Sequence, residues 1–198
     1  MLKKMAEKNR KKQAKKEIPG IKKYLTLRNL LITALFVVVY LMFSNLAKAI
    51  FFVVIFVPIG ILSIKLTRVL PHMDMDTLTT CSFFLGYLYG WPIGVFFGLV
   101  IGSYIWMTAF SFSQFVMMSV FLNAISAVIG FVFAGYGWAF PMAYMIGMVI
   151  RNTLYFGIGW IIGGDPVGNT IHTFTAVLTN MILLPELIYL IHGLAVLF

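Results

Sequence analysis

Charge is scarce in this chain: 11% of its 198 residues are Asp, Glu, Lys or Arg, and only six are acidic. A water-soluble domain carries about 25% charged residues, so this chain has too little polar surface to cover itself in water. Cysteine occurs once, as Cys81, which excludes an internal disulfide, and no Cys/His spacing of a zinc site exists. There is no glycine-rich phosphate loop ending in Lys-Ser/Thr, no HExxH and no GxSxG, so the chain has no ATPase, zincin or hydrolase signature of its own. What is abundant is apolar: 61% of residues are hydrophobic, 16% aromatic, and the mean hydropathy is +0.97. These proportions exclude a secreted disulfide scaffold, a disordered tail protein and an ordinary cytosolic enzyme, and predict an integral membrane protein.

The positive charge is concentrated at one end. Residues 1–28 hold eleven Lys and Arg against Glu7 and Glu17, a net of +9, whereas residues 29–198 balance Lys48, Lys65, Arg68 and Arg151 against Asp74, Asp76, Asp165 and Glu186. Such a tail is either a nucleic-acid arm or a cytoplasmic juxtamembrane segment attracted to anionic lipid. The second reading is preferred, because the tail runs straight into a hydrophobic span and carries no nucleic-acid-binding motif. The chain therefore divides into a basic cytoplasmic tail, 1–28, and a transmembrane helical domain, 29–198, in the cell membrane with the bilayer as partner and no nucleic acid. A signal peptide is disfavoured by the length of the basic region and by the second apolar span that follows Ala47-Lys48-Ala49.

Apolar stretches fall at 27–45, 49–66, 78–108, 113–135, 138–162 and 172–197. A spanning helix needs about 20 residues, so the third stretch is too long for one span and is either one kinked helix or two short helices meeting near residue 90, beside Pro92. The expectation is an all-α polytopic bundle of six, possibly seven, transmembrane helices. Lys65 and Arg68 return the chain to the side of the tail after an outer turn at Ser44 to Lys48. Trp138 and Trp160 bracket the fifth stretch by roughly 33 Å of helix, as interfacial anchors do.

Polar residues within these stretches are the functional candidates. Gly86, Gly90, Gly94, Gly98 and Gly102 recur every fourth residue and predict close helix packing within the chain or against a partner. Ser119, Asn123, Ser126 and Gly130 form a polar stripe, and Ala143, Gly147, Arg151, Tyr155 and Gly159 form a second, both expected to face protein. A charge at mid-span costs at least about 2.5 kcal/mol, so Arg151 needs a counter-ion, carbonyls or water. Glu186 and Asp165 are its candidate ion-pair partners, and substrate is the other possibility. His172, Thr175, Thr179 and Glu186, with Asn180 beside them, make a seam on the last stretch, and His192 is expected at the interface. The segment Pro71 to Asp76 is polar but carries too few ligands to claim a metal site.

The layout of six or so spans, with the glycine repeat and Gly90-Trp91-Pro92-Ile93-Gly94, resembles the substrate-binding S components of energy-coupling factor transporters. The segment Leu27-Arg28-Asn29-Leu30 leading into Phe36 to Tyr40 looks like an uncharacterised branch grouped with them. One departure is that the alanine-spaced docking motif of that family is not evident between Leu27 and Ser44. The resemblance implies a non-enzymatic membrane subunit, without cofactor or metal, that captures a small vitamin-like molecule and is energised by a transmembrane coupling subunit and separate ATPase subunits. It points to Asn123, Arg151, Asn152, Tyr155, His172 and Asn180 as substrate-binding residues, with Arg151 for an anionic group and Tyr155 or Trp106 for a ring. Two rival readings are a membrane scaffold recruiting partners through its tail, and an intramembrane cysteine transpeptidase of exosortase or archaeosortase type using Cys81, Arg151 and His172.

Overall fold

The computed structural model describes residues 27–42, 44–69, 77–110, 113–163 and 165–197, and among these it is all-helical. Most of the basic tail and the segment 70–76, including the Asp74 and Asp76 noted above, lie outside the described residues. The chain forms two compact units, 1–44 and 45–198. The first contains α1 (Leu27–Met42), sixteen residues or about 24 Å of helix among the described residues.

α2 runs Ser44–Val69, and this corrects the expected outer turn at Ser44 to Lys48. That segment carries neither glycine nor proline, and Ala47 and Ala49 favour helix, so it forms the first turns of α2 instead. Among the described residues three helices are long and apolar enough to cross a membrane: α2, α4 (Trp91–Thr108 of it) and α5 (Gln114–Gly135). α6 (Phe140–Ile161) matches them in length, but Arg151, Asn152 and Thr153 lower its hydropathy.

The long third stretch proves to be a helical hairpin. α3 (Leu78–Tyr89) stops at Gly90, whose φ of 97° and ψ of 154° are open only to glycine. α4 then starts at Trp91 with Pro92 in its first turn, where no amide hydrogen is needed. It opens into a π-turn at Phe97–Ile101 and resumes as α-helix over Gly102–Ala109. The repeated glycines let α4 fold back on α3: a Cβ placed on Gly94 would lie 2.7 Å from the Gly86 nitrogen, and one on Gly98 3.1 Å from Ser82 Oγ. α5 closes the same contact, since a Cβ on Gly86 would collide with the Ala127 carbonyl and one on Gly130 would reach within 2.5 Å of the Phe83 carbonyl. The stripe is thus a three-helix packing surface within the chain.

Around this contact sits an aromatic core. Phe52, Phe56, Phe83, Phe84, Phe97, Phe140 and Tyr144 are buried, with mostly edge-to-face ring pairs such as Phe56–Phe84 at 5.4 Å and Phe83–Tyr144 at 5.7 Å. α6 returns antiparallel to α5, and α7 begins at Pro166–Leu178 with Asp165 capping it through Val167 and Gly168 N–H.

The last stretch is not one helix. α7 widens to a π-turn at Thr179–Leu183 and breaks before α8 (Pro185–Leu197). Leu184 N–H bonds to the Thr179 carbonyl at 2.9 Å, and Pro185 has no N–H, so the Asn180 carbonyl has no helical donor. Tyr144 Oη donates to it instead, at 2.9 Å. Because of this break Glu186 leaves the seam of His172, Thr175 and Thr179 and is exposed at the start of α8. His192, expected at the interface, is half-buried and stacks on Phe140 at 4.4 Å.

Candidate functional site

The two polar stripes read from spacing are both buried. Ser119, Asn123, Ser126 and Gly130 on α5, and Ala143, Gly147, Arg151, Tyr155 and Gly159 on α6, all turn inward. Arg151 is 1% exposed, the largest of the fully buried side chains.

Four of the six predicted site residues form one chain of contacts. Arg151 donates from Nη1 to Asn152 Oδ1 at 3.0 Å, and its guanidinium lies 5.1 Å above the Tyr155 ring. The Tyr155 ring also lies 4.9 Å from the His172 ring. Arg151 Nε and Asn152 Nδ2 are buried without a hydrogen-bond partner. Neither expected counter-ion reaches the guanidinium: the Asp165 carboxylate is engaged at the start of α7, and Glu186 is exposed on α8. Among the described residues Arg151 has no ion pair.

Tyr155 and His172 also line a cavity of about 280 Å³ at the end of the bundle where α2 and α4 finish and α5 begins. Trp106, Ser119, Thr67 and Arg68 complete much of its wall. Trp106 is 8% exposed, and its indole Nε1 has no partner. No carboxylate lines the cavity among the described residues. Arg68 and Thr67 escaped sequence reasoning as site residues, because a charge at a helix end reads as a topology signal. Only the folding of α2 alongside α4 brings them to the wall.

The other two predicted residues sit elsewhere. Asn123, one turn along α5 from Ser119, accepts a hydrogen bond from Thr79 Oγ1 at 2.6 Å, with its own Nδ2 unpartnered. Asn180 belongs to a node joining α3, α6 and α7: Thr80 Oγ1 donates to its Oδ1 at 3.1 Å and lies 3.0 Å from Tyr144 Oη. Its side-chain and main-chain oxygens both tie helices together. Cys81 is buried, and it lines a separate cavity of about 20 Å³ with Phe56, Ile188 and Ile191. Among the described residues no group of three metal-ligating side chains converges.

Two apolar grooves lie along α4 and α5, of about 170 Å³ beside Ser103 and Met117 and about 360 Å³ beside Trp91 and Val128. Their walls are largely hydrocarbon and aromatic, with Ser103 in the first the one polar side chain among the described lining residues. The Tyr155–His172 cavity combines rings, hydroxyls and one cation, Arg68, which is the makeup of a small-molecule site, and its volume lies just below the usual range of roughly 300–1,000 Å³.

No family model, no curated protein and no solved structure matches the chain.

Proposed function

We propose that this chain is a membrane-embedded binding subunit that takes up a small molecule, in the manner of the S components it resembles, with energy supplied by separate ATPase subunits through a transmembrane coupling subunit. The observation that carries this reading is the cavity walled by Tyr155, His172 and Trp106 beside a buried Arg151 that has no ion pair among the described residues. A buried charge is retained against its desolvation cost when function requires it. The three long apolar helices support a membrane location. A multi-pass chain with the basic tail in the cytoplasm completes the proposal.

This topology has a consequence for the cavity mouth. If α1 and α2 both cross the bilayer, Arg68 and the mouth share the cytoplasmic side with the tail. If α1 lies along the membrane surface, the same mouth faces outward. Capture from outside requires the second arrangement in the uncoupled subunit. Arg68→Cys in a Cys81→Ala background, treated with an impermeant maleimide on intact cells, reads this directly. Labelling of intact cells, together with recovery of an ATPase pair and coupling subunit on mild-detergent purification, is the expected result. Labelling only after permeabilisation, with no such partners recovered, overturns the importer reading.

A further inference from the structure

Three hollows adjoin on one side of the bundle. The cavity of about 280 Å³ beside Arg68 shares Val116 with the groove of about 170 Å³, and that groove shares Leu99 and Phe121 with the one of about 360 Å³. Together they follow the seam between α4 and α5, from the end of the bundle at Arg68 to Trp91. Along α4 the groove runs from Met107 to Trp91, about 24 Å of helix, against the roughly 30 Å of a hydrocarbon core. Both helices are long and apolar enough to cross a membrane, and Met107, Met117, Phe121 and Val128 are exposed along the seam. In a bilayer its open side meets acyl chains.

The two parts of this path differ in chemistry. The grooves are apolar apart from Ser103, whereas the cavity carries groups that a ligand can reach. Arg68 is exposed in the last turn of α2 and lines the cavity. Ser113, also exposed, uses its Oγ to accept from Val116 N–H at 3.3 Å, which leaves the hydroxyl hydrogen to donate to a ligand. No carboxylate lines the cavity among the described residues. Arg151, behind the Tyr155 ring, adds positive potential without touching the contents.

Taking the cavity as the ligand site proposed above, we infer that its substrate is a single-chain anionic amphiphile of the fatty-acid class. The carboxylate pairs with Arg68 and accepts from Ser113 Oγ, and the chain lies along the α4–α5 seam past Met117 and Leu99. Tyr155 and His172 keep their places as wall. One apolar track holds one chain, and a cavity of about 280 Å³ limits the head to a small group. Entry is sideways from the bilayer. Because lipid already solvates the chain there, moving it into the groove changes its hydrophobic free energy little. The head therefore sets the affinity, and the groove sets which chains fit.

The test uses the full chain in nanodiscs of neutral phosphatidylcholine, at about pH 8.5 so that a carboxyl raised by the bilayer stays ionised. The probe is palmitate carrying a photoactivated diazirine at mid-chain, with adducts mapped by mass spectrometry. Saturable adducts around Leu99, Met117 and Phe121 are expected. Palmitate should displace them, but not methyl palmitate, which lacks the charge, nor butyrate, which lacks the chain. Arg68→Gln should weaken this binding about three- to tenfold, and Arg68→Lys should retain most of it. Arg68 is exposed, so neither change disturbs the core. Met117→Trp, which narrows the groove from an exposed position, should weaken binding about threefold or more. Equal displacement by methyl palmitate overturns the inference, as does equal displacement by phosphatidylglycerol, an ordinary two-chain anionic lipid. So do adducts spread evenly over the exposed apolar side chains of α2, undiminished binding in Arg68→Gln, or a native mass spectrum showing a dimer whose second copy shields the seam from any adduct. The importer reading is tested separately by labelling at residue 68 and by partner recovery. Palmitate binding without coupling partners would remove that reading alone, and coupling partners without palmitate binding would remove this one alone.

Discussion

The two ends of the 45–198 unit are built on opposite rules. Near Gly90, α3, α4 and α5 approach until glycine is the only residue that fits, and aromatic rings fill what is left. At the other end α2, α4, α5, α6 and α7 surround a hollow of about 280 Å³ beside Arg68 and His172, and the buried Nε1 of Trp106 there has no partner. Close packing and satisfied polar groups make a scaffold, whereas voids and orphaned donors are destabilising unless something else occupies them. The contrast separates a close-packed end from a hollow one.

The largest effect should come from filling the packed end. Gly86→Leu drives a side chain into the Ala127 backbone, which cannot yield as a side chain can, and is expected to abolish recovery of monodisperse protein in size-exclusion chromatography. Gly157→Ala on α6, where an added Cβ meets nothing within 4 Å, should leave stability unchanged or raise it by about 0.5 kcal/mol through helix propensity. If both variants behave alike, glycine packing is not what separates the two ends. Thr79→Val removes the donor to Asn123 Oδ1 and leaves that oxygen buried. A loss of about 1 to 3 kcal/mol in thermal or denaturant unfolding is expected. Smaller still, Asp165→Ala uncaps α7 at the hollow end and should cost about 1 kcal/mol, with hydrogen exchange rising in the first turn of α7 and not in α3.

How much of this was legible in the sequence follows from which interactions are local. The stripe of Ala143, Gly147, Arg151, Tyr155 and Gly159 is buried in full, because a four-residue spacing drifts by only about 40° per step along a helix and small residues mark where neighbours approach. The contact among Arg151, Asn152 and Tyr155 follows from the same spacing, and His172 joins it through α7. The sequence reading left open whether residues 78–108 form one helix or two, since the conformation of Gly90 is decided by α5 packing on both arms. It also missed the break before Pro185, which takes Glu186 off the seam, because seven-residue spacing assumes an unbroken helix. Asn180 looked like a binding residue, but its oxygens serve Thr80 and Tyr144 from distant helices, a tertiary fact with no sequence signal. Arg68 went unnoticed for the converse reason: its charge already had a sufficient explanation.

The most direct measurement is the thermal stability of the ligand-free protein carrying Arg151→Met. If Arg151 is an uncompensated charge held for a ligand, the variant loses a desolvation penalty and keeps the volume. Its stability should then rise by about 1 to 3 kcal/mol, roughly 3 to 10 °C, while binding is lost. If Arg151 is instead a structural partner in a buried network, the same change should destabilise the protein by about 3 to 5 kcal/mol. That fall would contradict the division of the molecule into a packed scaffold and a binding end.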